Sequence, residues 1–246
     1  MEKNCLMEYF REPKNQIQAD VACRLGMIAH QYSGFDLPPE ERFTSTLDLC
    51  ILQSLLTQCV ELLHAMARDE RQRKYLKADL TVSSLWGLKP EMVVLNTFHC
   101  NTLTADVVLT RIRNALSHPT VLEVDALFPS SGYTTIADGS GDIVRFSFVN
   151  SPDTRNNRPK IHDTEEAAAR QLAPGRRDQD LPADVGIIRT DDGRFCLGRD
   201  GKSFARIFRI DLTPEEMHKL VIGLSNHLAQ PVRHLWDGIT IAAVIA

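Results

Sequence analysis

Apolar residues recur with a helical period through the first half of this chain and with a period of two from residue 132 onward. That change of period constrains the fold more than any other feature, because it requires helices and antiparallel strands in separate stretches rather than alternating βαβ units. Ile17, Val21, Leu25 and Ile28 set a helix over 14 to 32, which Gly34 and Pro38-Pro39 end. Ser45-x-x-Asp48 resembles a capping box and opens a long second helix through Leu49, Leu52, Leu55, Leu56, Cys59, Val60, Leu63 and Met66. Glu91 to Phe98 is expected as a short helix, followed by a helix from about 104 to 117.

The strands begin at Gly132. Tyr133 to Ala137 and Asp142 to Val149 form a predicted hairpin around Asp138-Gly139-Ser140-Gly141. A polar stretch, 151 to 183, contains a short helix starting near Asp163. A second hairpin, 185 to 189 with 194 to 197, turns at Asp191-Asp192-Gly193 and leads to a strand over 204 to 212. Thr213-Pro214-Glu215-Glu216 combines an N-cap, proline at the first helical position and the reciprocal glutamate, so a helix starts there, with Pro231 closing it. The expected fold class is α+β in a single domain, 1 to 246: a helical part over 1 to 125, a β-rich insertion over 130 to 212 and a closing helix over 213 to 230.

With 246 residues the chain can bury a full core without disulfides or metal. A formal net charge of -4 excludes a protein that coats nucleic acid by bulk charge, although a small catalytic site is compatible with it. Cys5, Cys23, Cys50, Cys59, Cys100 and Cys196 contain no C-x-x-C pair and read as reduced thiols of a cytoplasmic protein, with no zinc and no cofactor. The start lacks a signal peptide, charged and polar residues interrupt the longest apolar helix, and the apolar tail from Ile239 to Ala246 is too short to span a bilayer. No membrane association is expected.

The chemistry concentrates in Arg111-Ile112-Arg113-Asn114-Ala115-Leu116-Ser117-His118-Pro119. Projected at roughly 100° per residue, Ala105, Val108, Leu109, Ile112, Ala115 and Leu116 make one apolar arc. Asp106, Thr110, Arg111, Arg113, Asn114, Ser117 and His118 share the opposite surface. Pro119 disfavours helical geometry at His118 and places it at the helix end. On these residues alone two readings stand. His118 is either a helix-end cap or an acid–base group, and Arg113 either pairs with Asp106 or Thr110 on its own face or stands available to an anion. Arg68, Arg71, Arg73, Lys74 and Lys77 outnumber Asp69 and Glu70 and read as a solvated helix end, with a phosphate-tracking patch as the sharper alternative. His30, His64, His218 and His227 read as structural or exposed, and His99-Cys100 has no supporting motif.

Arg113, Asn114 and His118 match the R-[polar]-x-x-x-H signature, and the stretch resembles that of the HEPN superfamily, the higher eukaryotes and prokaryotes nucleotide-binding domains. The resemblance covers 14 to 118 and extends to 213 to 230. It implies a mainly helical HEPN-like bundle carrying a β-hairpin-rich insertion before its last long helix. It also implies a homodimer in which two motif helices build one composite site. The implied activity is a metal-independent endoribonuclease working by 2′-hydroxyl transesterification, as a toxin or defence effector with RNA as substrate and a cognate antitoxin as partner. Arg113, Asn114 and His118 would be catalytic, and Arg111 and Ser117 would contact substrate. The alternative is a non-catalytic nucleotide- or RNA-binding or assembly module. Thr120 stands where one branch of the family carries a nucleotidylated tyrosine, so control of that type is not expected.

Overall fold

The computed structural model describes residues 13–33, 44–59, 62–63, 73–74, 76–80, 84–96, 102–117, 131–151, 160–169, 185–199, 202–203 and 207–229. The fold is α+β, with helices and antiparallel sheets. The apolar tail and most of the basic run 68–77 lie outside the described residues, as do His64 and His99-Cys100. Among the described residues no helix is long and apolar enough to cross a membrane. The chain divides into two compact units, 1–78 with 85–87 and 215–246, and 79–84 with 88–214.

In the first unit α1 (Pro13–Ser33) packs against α2 (Thr44–Gln58). Helix α2 buries Leu52, Leu55 and Leu56 as its spacing predicts, and Ile51 besides, while Leu49 is half-buried. The Gln18 side chain of α1 accepts a hydrogen bond from the Leu62 N–H at 3.0 Å, and its carbonyl accepts one from the Cys59 thiol at 3.4 Å, tying α1 to the chain beyond α2.

The last described helix of the same unit runs over Pro214–Ala229 and starts where the capping sequence places it. Met217, Leu220, Val221, Leu224 and Leu228 are buried along it. The segment at Trp86-Gly87 packs on this helix through a left-handed turn, with φ of 54° at Trp86 and 80° at Gly87, where a β-carbon is disfavoured. The Trp86 ring lies 5.0 Å from that of His227, and Gly223 lets the tryptophan approach the helix backbone.

The second unit is built on a four-stranded antiparallel sheet in the order β1-β4-β3-β2, from β1 (Val93–Asn96), β2 (Gly132–Ala137), β3 (Ile143–Asn150) and β4 (Phe208–Leu212). The first of these strands corrects an expectation. The sequence predicts a short helix over 91 to 98, but up to Asn96, the last described residue there, only Pro90–Met92 turn, as a 3-10 segment, before Val93 to Asn96 extend and pair with β4. Two adjacent β-branched residues and the unsatisfied edge of β4 outweigh a weak helical preference. The hairpin β2–β3 forms around Asp138 to Asp142 as predicted, its turn held by the Asp138 carboxylate accepting from the Ser140 and Asp142 N–H groups.

Register assigns the faces. Phe146, Phe148 and Asn150 pair with Leu212, Ile210 and Phe208, and Ser147 and Val149 pair with Asp211 and Arg209. Residues directly opposite share a face, so one face is apolar and the other mixes charge with Val149 and Leu95. The helix α3 (Ala105–Ser117) packs against β3 and β2, burying the six residues of its apolar arc: Ala105, Val108, Leu109, Ile112, Ala115 and Leu116.

A second, three-stranded sheet comprises β5 (Val185–Arg189), β6 (Phe195–Arg199) and β7 (Lys202–Ser203), and the five-residue helix α4 (Glu165–Ala169) lies against it. Leu197 and Ile187 of this sheet join Leu95, Val149 and Ile207 in one apolar cluster, which docks it to the larger one. The strand read over 204 to 212 is described as β4 over 208 to 212, with 204–206 outside the described residues. For simplicity the closing helix Pro214–Ala229 is α5.

Two outcomes follow for the first unit. A Cβ at Gly223 would lie 2.7 Å from the Trp86 β-carbon. Gly223→Ala should therefore destabilise by about 1–3 kcal/mol through overpacking, although alanine is the better helix former by about 1 kcal/mol; urea denaturation measures the sign. Burial holds His227 neutral, its pKa lowered from 6.5 to about 4. Between those two values the unfolded chain binds the extra proton, so stability falls as pH falls through this window. His227→Phe should flatten that part of the stability–pH curve, and an unchanged slope would contradict the assignment.

Candidate functional site on helix α3

Thr104 starts α3. Its hydroxyl oxygen accepts from the Val107 N–H at 3.4 Å and its carbonyl from the Val108 N–H at 3.0 Å, the arrangement of an N-cap. The preceding residue is also held, because the Leu103 carbonyl accepts from the Leu80 N–H at 2.9 Å. With its start capped and its apolar arc seated on β2 and β3, the helix presents a fixed polar surface.

On that surface Arg113 and Asn114 come together. The Arg113 Nε and Nη2 both donate to the Asn114 Oδ1, at 3.3 and 3.0 Å. This uses one edge of the guanidinium fork and leaves the terminal Nη1/Nη2 edge for another acceptor. The partner of Arg113 on its own helix is the neighbouring amide rather than Asp106 or Thr110. No carboxylate neutralises it among the described residues. The Ser117 hydroxyl donates to the Arg113 carbonyl at 2.8 Å, a bond within the helix that leaves its oxygen able to accept.

Arg111 goes elsewhere. Its Nη1 donates to the Asn150 Oδ1 at 3.2 Å, Asn150 donates through Nδ2 to the Ser131 Oγ at 3.2 Å, and the Ser131 hydroxyl donates to the Ser151 carbonyl at 2.9 Å. The expected substrate contact thus also ties α3 to the end of the sheet. His118, the third motif residue, lies outside the described residues, and so does Thr120.

Two polar constellations escaped sequence reading. In the first unit, both oxygens of the buried Asp48 lie 3.1 and 3.2 Å from the His218 Nδ1. Asp48 is 1 % exposed, and burial raises its carboxyl pKa against the opposing pull of His218. The sequence did contain a trace of this pair. Asp48 sits on the same stripe as Leu52, Leu55 and Cys59, and a carboxylate on a core stripe requires a partner. Nothing local named His218, which lies 170 residues away.

In the second unit, Arg209 forms a double hydrogen bond with Asp211, Nε to Oδ1 and Nη2 to Oδ2, each 2.8 Å. Ser147 donates to the same carboxylate at 2.7 Å, and Arg145 lies 3.8 Å from it. The trace here was charge at alternate positions of an otherwise apolar strand. Among the thiols, burial pushes Cys59 up to about 11, which keeps it neutral and removes it as a nucleophile. Among the described residues no group of three or more His, Cys, Asp or Glu side chains is placed to hold a metal.

No protein-family model matches the chain, and no curated protein or solved structure is significantly similar to it. Function must therefore be argued from these residues.

The Asp48–His218 pair makes a direct stability test. His218→Ala leaves a buried carboxylate without its partner and should cost about 3 kcal/mol at neutral pH. Because burial raises the carboxyl pKa, the deficit of that variant relative to wild type should be smallest in acid and grow as pH rises through the elevated range. Adding Asp48→Asn should recover most of the loss. Denaturation at pH 4 and pH 7 reads both effects, and a His218→Ala variant as stable as wild type at pH 7 would refute the account.

Proposed function

We propose that the chain is an endoribonuclease of HEPN type, acting as a homodimer in the cytoplasm without a metal. The observation that carries the reading is the state of Arg113: its guanidinium is oriented by a neutral amide and keeps its charge and one donor edge for an anion. The R-N-x-x-x-H spacing supplies the rest. In this reading the fold is a HEPN-like bundle in which 130–212 is an insertion whose strands β2 and β3 support the motif helix.

Cleavage requires the ribose 2′-hydroxyl to attack the adjacent phosphorus, forming a 2′,3′-cyclic phosphate and releasing the 5′-oxygen. One histidine takes the 2′-hydroxyl proton and a second gives a proton to the leaving oxygen. His118 and the partner's His118 fill these roles. Arg113 and the partner's Arg113 hold the non-bridging phosphate oxygens as charge develops. Asn114 fixes the Arg113 fork, and the Ser117 oxygen lies one turn along the same surface. Such an activity suits a toxin or defence effector restrained by a cognate antitoxin.

A second reading, a non-catalytic RNA- or nucleotide-binding module, has one observation in its favour: the Arg113–Asn114 unit is complete without the histidine. RNA cleavage in EDTA separates the two. Wild type should cut, and Arg113→Ala and His118→Ala should each lose about 100-fold or more. Binding without cutting, lost in Arg113→Ala but retained in His118→Ala, establishes the second reading. Inert wild type that binds no RNA rejects both.

A further inference from the structure

A carboxylate on the core side of a helix needs a donor, and in the first unit Asp48 of α2 finds one in His218 of α5. An ionised carboxylate only accepts, so the ring nitrogen facing it, Nδ1, carries the proton. The other nitrogen, Nε2, is thereby left with its lone pair. Asp48 is buried, but the His218 side chain is 27 % exposed, and Nε2 makes no hydrogen bond among the described residues. The pair has a buried end that orients the ring and a reachable end that can react, the arrangement that activates a nucleophile.

We propose that His218 Nε2 is a phosphoryl acceptor, a modification site that forms N-phosphohistidine with a small donor of the phosphoramidate class, and that Asp48 is its positioning residue. The Nε2 lone pair attacks phosphorus and forms the new N–P bond. The donor's own N–P bond breaks, and ammonia leaves with that electron pair. No proton has to leave the ring. The ring becomes cationic as the bond forms, and the Asp48 carboxylate, with its oxygens 3.1 and 3.2 Å from Nδ1, already faces the charge that develops.

The surroundings suit the negative group that is added. Asp48 and His218 are each the fifth residue of their helix, α2 from Thr44 and α5 from Pro214. Side chains lean toward the N-terminus of their helix, so both reach back over first turns whose N–H groups favour negative charge. Helix α2 has no acidic residue in that turn. On α5, Glu215 accepts from Lys219 at 2.6 Å, and Glu216, two positions before His218, does not share its face. The site contains no residue of α3 and stands independently of the ribonuclease reading.

Potassium phosphoramidate at pH 8, with N-acetylhistidine in the same solution as a reference ring, tests this on the full chain, the labelled residues being mapped by mass spectrometry. His218 should take up phosphoryl at least about tenfold faster than the reference. Nitrogen-15 NMR should find the ring proton of His218 on Nδ1. The amide of Asp48→Asn can donate to Nδ1 and move that proton to Nε2, so this variant should label at least about tenfold more slowly, with circular dichroism confirming its fold. If it does not fold, the wild-type ratio and the tautomer decide. Labelling of His218 no faster than the reference overturns the proposal, and so does a wild-type ring proton on Nε2. A folded Asp48→Asn that labels like wild type overturns the role of Asp48.

Discussion

Strand β4 has no face to spare. All five of its residues are buried, with Phe208, Ile210 and Leu212 on one side and Arg209 and Asp211 on the other. An unpaired charge in that position costs several kcal/mol, so the second unit stands only because arginine and aspartate satisfy each other in a planar double hydrogen bond and share Ser147 across the strand. The pair does for one face what phenylalanine and leucine do for the other. It also fixes register: sliding β3 by one residue against β4 would carry Ser147 to the apolar side.

Helix α3 inherits its position from this arrangement. The sheet face of β3 and β2 defines the plane on which the six buried residues of α3 settle, and Asn150 at the end of β3 reaches Arg111. What remains outward is a short polar surface on which Arg113 is oriented by an amide of the same helix. A guanidinium already ordered loses less conformational entropy on meeting an anion than one swinging freely, and this preorganisation distinguishes Arg113 from an ordinary solvated arginine.

Periodicity made much of this visible in the sequence. The apolar arc of α3, the first hairpin with its Asp138 turn and the start of α5 at Pro214 all follow from local chemistry, because each rests on spacing, turn residues or caps. The segment 91–98 did not follow, since a short apolar run is settled by whether an open strand edge lies beside it, and that edge belongs to residues more than a hundred positions later. The orientation of α1 was hidden for another reason. A stripe of isoleucine, valine and leucine reads as core, and only the close approach of Gly26 to Ser225 shows that the small-residue side faces inward. In the candidate site, position and polarity were legible in Arg113 and Asn114. Their mutual hydrogen bond was not, because it depends on side-chain rotamers rather than on spacing.

The order of strands in the sheet has a consequence for biosynthesis. β1 and β3 are both completed long before β4, yet β4 lies between them and pairs with each. A chain emerging from the ribosome must carry β1 without its neighbour until Leu212 has been made, while β2 and β3 can close as a hairpin beside α3 but without β4. Such non-local pairing slows folding and leaves strand edges uncovered in the meantime. The larger sheet of the second unit therefore stays open until the last of its described strands has been made.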